Sequence, residues 1–373
     1  MRIAYIGIKG LPGTFSGVET HVHELGTRLL KRGHDVTAYV RSHYTPKDVH
    51  DDDGIKLVHR PTIPSKHLDA SIHSFTSALH TIGRDYDIVH FHCIGPAAFA
   101  PLARLSRSRI VTTVHRFDYL SGKWGWFART SLRIAERVAL KSSHKSIAVA
   151  PFISKHYRDE YGYDVKYIPN GVPLPEDNIG SSLIQPMGLD PNEYYLFLGR
   201  LVPEKQPDWS IRAFLDACKD TNRKLVITGG SSSTDVYVEE LKRLAAQDSE
   251  RVLITGPIYG QQKEELMANC RAFLLPSRLE GLPITLLEAM SHSRPCLVGD
   301  IPPHLDVIKE GSNGYLHDHT DFNSLRERFA ALDRVDTLDL KKVGLQARAT
   351  VEENYDWEDI IDSVEELYEA ASN

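Results

Sequence analysis

The sequence predicts an α/β protein with two doubly wound, Rossmann-like parallel-sheet domains in series and a C-terminal helix. Short β-branched runs alternate with helical patterns along the chain, which is typical of βαβ units. The alternation stops once, in "YIPNGVPLPEDNIG", and then restarts. The length of 373 residues also exceeds what one ordinary hydrophobic core can serve. We expect a first domain at 1–175, a second at 182–355, and an amphipathic helix at 356–373 that packs back on the first.

The first half of the chain contains six short runs that predict strands. The helix between the first two is the clearest, because Val18, Val22, Leu25 and Leu29 recur at helical spacing and Gly33 suits its end. Strands joined by helices in this way form a parallel sheet. The predicted strands are "RIAYIGI", "DVTAYV", "IKLVHR", "DIVHFH", "RIVTTVH" and "SIAVA".

The second half repeats the pattern with six further runs, and the tail "YDWEDIIDSVEELYEAA" predicts a separate amphipathic helix. Ligands of doubly wound sheets bind beyond the C-terminal ends of the strands. Two such domains therefore predict a ligand cleft between them, lined by residues that follow strands. The predicted strands are "YYLFLG", "KLVITG", "RVLITG", "AFLLP", "PCLVG" and "GYLH".

The composition is that of a globular cytoplasmic protein. Apolar residues make up 41% and charged residues 25%, and no apolar run approaches the roughly 18 residues of a membrane span. The start "MRIAYIGIKG" enters a strand pattern at once, so we expect no signal peptide. Four widely spaced cysteines predict reduced thiols. Residues 1–175 hold 24 Lys+Arg and 15 Asp+Glu, whereas the remainder holds 20 and 35, so the two halves are expected to have different partners.

Two acids flank a turn that opens a predicted helix in the second half. Glu280 follows the strand "AFLLP", Pro283 suits the first helical turn, and Glu288 lies within "ITLLEAM". A helix N-terminus offers free N–H groups and a positive dipole end, which favour phosphate. A carboxylate nearby can accept hydrogen bonds from vicinal hydroxyls, such as those of a ribose. The alternative is an ordinary turn acid and an ordinary helix acid.

Two cations follow another strand of the same half. The strand "YYLFLG" ends at Gly199, and Arg200 and Lys205 lie in the loop that leads to the next helix. Two cations beside a helix N-terminus can neutralise a diphosphate without a metal. The alternative is a pair of solvated loop cations.

A glycine-rich loop follows the first strand of the chain. Gly7, Gly10 and Gly13 do not have the spacing G-x-G-x-x-G, and the second strand ends at Arg41 and Ser42 with no acid for a ribose. We therefore expect a loop whose backbone closely approaches a ligand, and not an NAD site.

A histidine ends the strand "RIVTTVH" of the first half. His115 at that strand end can hydrogen-bond a sugar hydroxyl or a phosphate, and Asp118 follows it in "HRFDY". The alternative is a histidine engaged in a local turn network.

Three short patterns resemble metal ligands, but we expect no metal and no cofactor. We expect the histidines of "HFH" (His90, His92) and "THVH" not to converge on one ion, and no third and fourth ligand stands out. The D-x-D pair Asp85 and Asp87 precedes its strand, at the edge of the sheet away from ligands.

A cationic row follows an aromatic segment in the first half. Its members recur every four residues, so on a helix they drift slowly around one side. The row is either a solvated helix face or an interfacial element for anionic lipid or a lipid-linked diphosphate acceptor. The row consists of Arg129, Arg133, Arg137, Lys141 and Lys145, preceded by Trp124, Trp126 and Phe127.

Five motifs in order give the chain a family resemblance over essentially its whole length. "IPNGV", "GRLVPEK", "LPSRLEGLPITLLEAM" and "NGYL" resemble the retaining glycosyltransferases of family 4, which have the GT-B fold. The opening "IGIKGLPGTFSGVE" is similar to the subgroup of rhamnosyltransferases and polysaccharide-building transferases. It departs from the family at Ser16-Gly17, where the pattern has Gly-Gly.

The resemblance implies roles for the singled-out residues. Glu280 would contact the donor sugar, Glu288 the nucleotide ribose, Arg200 and Lys205 the diphosphate, and His115 the reacting sugar. Asp118 and the arginines Arg129, Arg133 and Arg137 are assigned to the acceptor or the membrane. Further donor-binding residues are Gly13, Gly17, Pro257, Ile258, Gly281, Leu282, Pro283 and Ile284.

The expected activity is retaining transfer of a hexosyl or deoxyhexosyl group from a nucleotide-diphospho-sugar to a hydroxyl in glycan, polysaccharide or glycolipid assembly. The resemblance implies a metal-independent reaction through an oxocarbenium-like state. Expected partners are the donor, a sugar or lipid-linked acceptor and an anionic membrane surface on the inner face of the cell membrane, but no nucleic acid. Alternatives are a sugar-nucleotide epimerase or hydrolase, or a non-catalytic nucleotide-sugar binder.

Overall fold

The computed structural model describes residues 1–12, 16–65, 68–122, 124–176, 178–230 and 235–372. The chain forms two compact units. Unit 1 comprises Met1–Gly171 and Trp357–Asn373, and unit 2 comprises Val172–Asp356. Most of the Pro- and Gly-rich stretch that the sequence suggests as a linker thus lies at the start of unit 2.

Unit 1 is built on an eight-stranded sheet. Its strand order is β3-β4-β2-β1-β5-β6-β7-β8, and every pairing is parallel except that of the short edge strand β3. The central strand β1 is paired on both sides, with Ile3 opposite Val36 and Ile88. The strands are β1 (Arg2–Ile6), β2 (Asp35–Arg41), β3 (Asp51–Asp52), β4 (Ile55–Arg60), β5 (Ile88–His92), β6 (Arg109–Val114), β7 (Lys145–Ala148) and β8 (Lys166–Tyr167).

Within the residues that the structure describes, six helices lie between the strands of unit 1. Helix α1 buries Val22, Leu25 and Leu29 at the predicted helical spacing. The helices are α1 (Gly17–Lys31), α2 (Asp69–Thr81), α3 (Ile94–Ala97), α4 (Ala100–Ala103), α5 (Trp126–Ser142) and α6 (Pro151–Tyr161).

Unit 2 is built on a six-stranded sheet that is parallel throughout, in the order β11-β10-β9-β12-β13-β14. The strands are β9 (Tyr194–Leu198), β10 (Lys224–Thr228), β11 (Val252–Gly256), β12 (Ala272–Leu275), β13 (Cys296–Gly299) and β14 (Tyr315–His317). The helices are α7 (Pro207–Ala217), α8 (Asp235–Ala245), α9 (Gly260–Asn269), α10 (Ile284–Ser291), α11 (Pro302–Leu305), α12 (Phe322–Arg334) and α13 (Thr337–Asn354). The predicted pair of doubly wound parallel sheets is confirmed.

The last helix, α14 (Trp357–Ser372), belongs to unit 1. Its buried face, which includes Ile360, Ile361 and Val364, joins the core formed by β1 and α1. Arg32 of α1 forms ion pairs with Glu358, Asp362 and Glu365 of α14. Residues 357–373 carry six acids and no Lys or Arg, so the charge balance of unit 1 is +3, where residues 1–171 alone give +9.

Among the described residues, no helix combines the length and the apolar character that crossing a membrane requires.

Candidate active site

Lys205 and Glu280, two of the predicted site residues of unit 2, form an ion pair. Lys205 ends a short 3₁₀ turn, Pro203–Lys205, in the loop after β9, and Glu280 follows β12. The Lys205 Nζ donates a hydrogen bond to Glu280 Oε1 at 2.6 Å, and the Ser277 hydroxyl donates to the same oxygen at 2.8 Å. Both side chains of the ion pair are largely buried. The loops after β9 and β12 therefore bring a cation and an acid together, as neighbouring parallel strands allow.

The Glu280 carboxyl is held in its ionised form. Burial alone would raise its pKa, but Lys205, His304 and the Ser277 hydroxyl stabilise the charge and the net pKa lies below the ordinary value. An ionised carboxylate only accepts hydrogen bonds, so Glu280 suits a ligand that offers hydroxyl groups.

The ends of β9 and β10 approach so closely that only glycine fits. Gly229 has φ +152, and a Cβ there would lie 1.7 Å from the carbonyl oxygen of Gly199. A Cβ at Gly199 would in turn lie 3.3 Å from the Lys205 Cδ, so the lysine side chain passes over this glycine. Arg200 follows directly and is half-buried. Gly229 follows β10 directly but is not among the site residues predicted from the sequence.

The helix that carries Glu288 begins one residue later than predicted. Pro283 is the residue before α10, whose first helical residue is Ile284, and a proline has no side-chain oxygen to cap the first N–H groups. These N–H groups are therefore suited to an external anion. Gly281, Leu282, Pro283 and Ile284 are all buried around this helix start.

Glu288 lies in the second turn of α10 and has a cationic partner that sequence reasoning missed. Lys263 of α9 donates a hydrogen bond from Nζ to Glu288 Oε1 at 2.7 Å. The side chain of Glu288 is mostly buried. The two acids thus occupy separate ion pairs, Glu280 with Lys205 and Glu288 with Lys263.

The predicted base-binding residues follow β11 directly. Gly256 ends the strand with φ +74, and the exposed Pro257 and the half-buried Ile258 come next. They are placed at the C-terminal edge of the sheet of unit 2, as are Arg200 and Glu280.

His304, in α11 after β13, is a further candidate that the sequence analysis missed. Its Nδ1 is 2.7 Å from the carbonyl oxygen of Gly299, while its buried Nε2 has no hydrogen-bond partner among the described residues. Burial lowers its pKa to about 4, although the neighbouring charge of Glu280 opposes that shift. Because Nδ1 of the neutral ring donates to this carbonyl oxygen, the unused Nε2 can accept a hydrogen bond from a ligand hydroxyl.

In unit 1, His115 belongs to a cluster of buried histidines, which we call the histidine cluster (His21, His90, His92, His115). His115 follows β6, and its Nε2 lies 3.2 Å from His92 Nδ1. The ring of His21, in α1, lies 5.2 Å from that of His115.

The expectation that the "HFH" and "THVH" histidines do not converge is wrong for His21 and His92, but His90 is not part of their group. The rings of His90 and His92 stack at 4.3 Å, because residues two apart in a strand point to the same face of the sheet. One nitrogen from each of His21, His92 and His115 lies within 4.8 Å of the others, so these three residues could hold a metal ion.

Burial keeps the histidine cluster uncharged at neutral pH. It lowers the pKa of His90 and of His115 to about 3, and it lowers the pKa of His21 and His92 well below the ordinary value. His115 is therefore a neutral hydrogen-bonding group, better suited to a sugar hydroxyl than to the charge of a phosphate.

A buried acid that was not predicted from the sequence contacts described residues of the segment after β1. Glu19 of α1 is buried and accepts hydrogen bonds from the Lys9 N–H, at 2.9 Å, and from the Ser16 hydroxyl. Gly17 is the first residue of α1. Gly13, the other predicted glycine of this loop, lies outside the described residues.

The remaining predictions concern the segment after β6. Asp118 accepts a hydrogen bond from Arg116 Nε at 3.0 Å. Arg129, Arg133 and Arg137 are exposed on α5. The predicted row of five cations on one helix is wrong at its end, because α5 stops at Ser142 and Lys145 begins β7.

The D-x-D residues contact the start of the chain. Asp87 Oδ2 accepts a hydrogen bond from the Arg2 N–H at 2.6 Å, and Asp85 forms a 3.5 Å ion pair with the Arg2 guanidinium.

Two protein-family descriptions match successive parts of the chain. "Glycosyltransferase Family 4" matches residues 15–175, and "Glycosyl transferases group 1" matches residues 185–334. The first match lies almost wholly in unit 1, and the second lies within unit 2.

The chain is also similar to individual proteins. It is 24% identical over 375 residues to the GDP-mannose-dependent alpha-(1-6)-phosphatidylinositol monomannoside mannosyltransferase of Mycolicibacterium smegmatis, covering 93% of each chain. It is 27% identical over 310 residues to the UDP-Gal:alpha-D-GlcNAc-diphosphoundecaprenol alpha-1,3-galactosyltransferase of Escherichia coli, covering 76% of this chain and 75% of that one. Anabaena HepE, solved with UDP-glucose, superimposes with a TM-score of 0.79 at 19% identity, covering 99% of this chain and 100% of that one.

Proposed function

The chain belongs to the GT-B glycosyltransferases, and from that membership we propose that it is a retaining, metal-independent enzyme that uses a nucleotide-diphospho-sugar. It transfers a sugar in glycan or glycolipid synthesis. The observation on which the proposal rests is the Lys205–Glu280 ion pair at 2.6 Å. Lys205 lies in the loop after β9 and Glu280 in the loop after β12. The same unit contains the start of α10, which has no side-chain cap.

The donor diphosphate, in this proposal, binds at the start of α10. The helix N–H groups together with Arg200 and Lys205 would face its oxygens, and their positive charge would stabilise the negative charge that grows as the sugar C1–O bond breaks. Because Lys205 is held by Glu280, its ammonium group is already oriented before the donor binds.

The two acids would bind hydroxyl groups on either side of the diphosphate. Lys205 and Ser277 both donate to Oε1 of Glu280, and we assign Oε2 to a hydroxyl of the donor sugar. Lys263 donates to Oε1 of Glu288, and we assign the remaining capacity of that carboxylate to the ribose. The loop at Pro257 and Ile258 would lie against the base.

In unit 1, we assign His115 to a hydroxyl of the reacting sugar, because its ring is neutral and hydrogen-bonding. The glycine-rich loop and Gly17 would approach the donor through their backbone. We propose that the acceptor hydroxyl attacks from the face that the diphosphate leaves, with its proton passing to a leaving phosphate oxygen.

The acceptor, we propose, is a sugar or a lipid-linked glycan, with an anionic membrane surface as a further partner. The names of two relatives support this choice, since one names a phosphatidylinositol mannoside and the other a diphosphoundecaprenol-linked sugar. The opening motif also supports a role in polysaccharide assembly with a hexosyl or deoxyhexosyl donor.

The stereochemistry and metal dependence of the product test the proposal. UDP- and GDP-sugars that raise the melting temperature would be incubated with sugar acceptors, with and without EDTA, and the products examined by proton NMR. We expect a product with the anomeric configuration of the donor, formed at an unchanged rate in EDTA. An inverted product, or activity that only Mg²⁺ or Mn²⁺ restores after EDTA, would contradict it. Donor consumed equally without acceptor would indicate an epimerase or a hydrolase.

A further inference from the structure

Helix α5 of unit 1 exposes large apolar side chains to solvent. Trp126 is 79% exposed, Phe127 is 78% exposed and Ile134 is 59% exposed, and Leu120 in the preceding 3₁₀ turn is 52% exposed. Single exposed apolar residues are common on protein surfaces, but two adjacent aromatic rings with a third apolar side chain on one helix need a reason.

These side chains lie on one face of the helix, which we call the outward face (Trp126, Phe127, Thr130, Ile134, Arg137, Lys141). At about 100° per residue, Trp126, Phe127 and Ile134 fall within an arc of about 100°. The other side of α5 packs into the protein through Glu136, Ala139 and Leu140, which are buried. Helix α5 is thus anchored on one side and exposes three large apolar side chains on the other.

The same helix also exposes four cations. Arg129, Arg133, Arg137 and Lys141 are all exposed, and the single acid of α5, Glu136, is buried. Glu136 Oε1 accepts a hydrogen bond from the Tyr157 hydroxyl at 2.5 Å, and burial raises the pKa of this carboxyl. No exposed acid on α5 therefore offsets its four cations.

Two of the arginines are positioned by aromatic rings. The guanidinium of Arg133 lies 5.1 Å from the ring centre of Tyr119, and that of Arg137 lies 5.3 Å from that of Tyr161. Such contacts restrict where the long side chains place their charge.

We propose that the outward face of α5, with Arg129 and Arg133 beside it, docks on an anionic membrane surface. Trp126 and Phe127 would enter the boundary between headgroups and acyl chains, and the cations would face lipid phosphates. Exposed aromatic rings together with cations favour a membrane surface, because the rings match the apolar boundary and the cations match the anionic headgroups. This docking proposal rests on the proposed function, because the membrane is the surface that would present a lipid-linked acceptor.

The docking proposal rests on the exposed cations of α5 and not on the net charge of unit 1. With α14 included, unit 1 has a balance of only +3, and the acids of α14 lie on another helix. The attraction to an anionic leaflet decays within about 8–10 Å at physiological salt, so charges close to the leaflet contribute most.

Vesicle flotation tests the docking surface. The full chain would be mixed with phosphatidylcholine vesicles or with vesicles that also contain phosphatidylglycerol, at low and high salt. The variants are Trp126→Ala/Phe127→Ala and Arg129→Ala/Arg133→Ala/Arg137→Ala. The matched control is Leu338→Ala/Lys341→Ala/Lys342→Ala on α13, which removes a 69% exposed leucine and two exposed lysines in unit 2.

We expect salt-sensitive binding of the wild-type chain to anionic vesicles only. Each cation near an anionic leaflet changes the partition about fivefold, so the triple arginine variant should bind about a hundredfold more weakly. The aromatic variant should lose the blue shift of tryptophan fluorescence on binding, and the α13 control should bind like the wild type. Circular dichroism and thermal melting would show that each variant is folded.

Equal flotation of the α5 variants and the wild type would overturn the proposal, as would absence of wild-type binding or equal loss of binding in the α13 control. Transfer by the wild type to a water-soluble acceptor would be measured in parallel. If this transfer occurs without vesicle binding, the docking surface fails and the proposed function stands. If no donor is consumed while binding depends on α5, the proposed function fails.

Discussion

At the scale of the residue, the candidate site consists of two separate ion pairs in unit 2. Glu280 pairs with Lys205, and Glu288 pairs with Lys263. From the sequence, strand ends and a helix start identified three of these four residues. Lys263 and Ser277 were missed, because a hydrogen bond from a neighbouring helix or from a serine leaves no periodic signal in the chain. His304 also leaves no such signal, because its role depends on its burial next to Glu280 in the folded chain.

Breaking the Lys205–Glu280 pair should cost stability in a pH-dependent way. The pKa of Glu280 is lowered in the folded chain, so its contribution to stability is present above the pKa of the unfolded carboxyl and is lost as the pH falls through the folded pKa. We expect Lys205→Met to cost about 3 kcal/mol at pH 7, because a largely buried carboxylate loses its cation, and clearly less at about pH 3.5. Urea unfolding at the two pH values would measure this difference.

Two controls sharpen that experiment. Lys205→Met/Glu280→Gln should recover most of the lost stability, because no buried charge is left unpaired. Lys242→Met removes an exposed ion pair with Glu239 on α8 and should cost less than about 1 kcal/mol at either pH. A penalty for Lys205→Met that is the same at both pH values would contradict the pairing.

At the scale of the element, the sequence predicts the central strands and long helices well, and their ends less well. Helix α10 begins after Pro283 and α5 ends before Lys145, because tertiary contacts and strand pairing set these limits. The histidine cluster was misjudged for a different reason. It joins α1, β5 and β6, so its existence depends on which strands are neighbours.

The contact between the ends of β9 and β10 gives a prediction at this scale. Gly229→Ala would place a Cβ 1.7 Å from the carbonyl oxygen of Gly199, so the strand ends would have to separate. We expect a loss of more than about 4 kcal/mol in the free energy of unfolding, or failure to fold. Gly33→Ala is the matched control, since its φ is also positive (+85) but a Cβ there meets nothing within 4 Å.

Denaturant unfolding of both variants would measure these losses, and Gly33→Ala should cost only about 1–2 kcal/mol. Similar losses for the two variants would show that the strand ends do not make this close contact. The loop that carries Arg200 starts at this contact, so any folded Gly229→Ala protein should also bind the donor more weakly.

At the scale of the whole molecule, the order of strands and helices along the chain was sufficient to predict two parallel-sheet domains. The contribution of α14 to the core of unit 1 depends on contacts across more than 270 residues, such as the 2.7 Å hydrogen bond between His90 Nδ1 and the Tyr368 hydroxyl. The six acids of residues 357–373 also belong to unit 1, so they lower its net positive charge. The charge balance of each structural unit therefore differs from that of the corresponding half of the sequence.

The central claim is that unit 2 binds a nucleotide-diphospho-sugar, with Glu288 on the ribose and Glu280 on the sugar. Isothermal titration of UDP and GDP into the wild-type, Glu280→Ala and Glu288→Ala proteins tests it most directly. For the nucleoside diphosphate that binds the wild type, the affinity of Glu280→Ala should lie within about threefold of the wild-type affinity. This ligand has no donor sugar, and Lys205 stays available to its phosphates.

Glu288→Ala should weaken the same affinity by at least about tenfold, the loss expected for hydrogen bonds to a charged group. Steady-state kinetics with the complete donor should show impaired transfer in both variants. If Glu280→Ala loses the nucleotide while Glu288→Ala retains it, the assignment of the two acids is reversed. If neither nucleotide binds the wild-type chain, or both variants bind as the wild type does, the claim that these acids form a nucleotide-sugar site is contradicted.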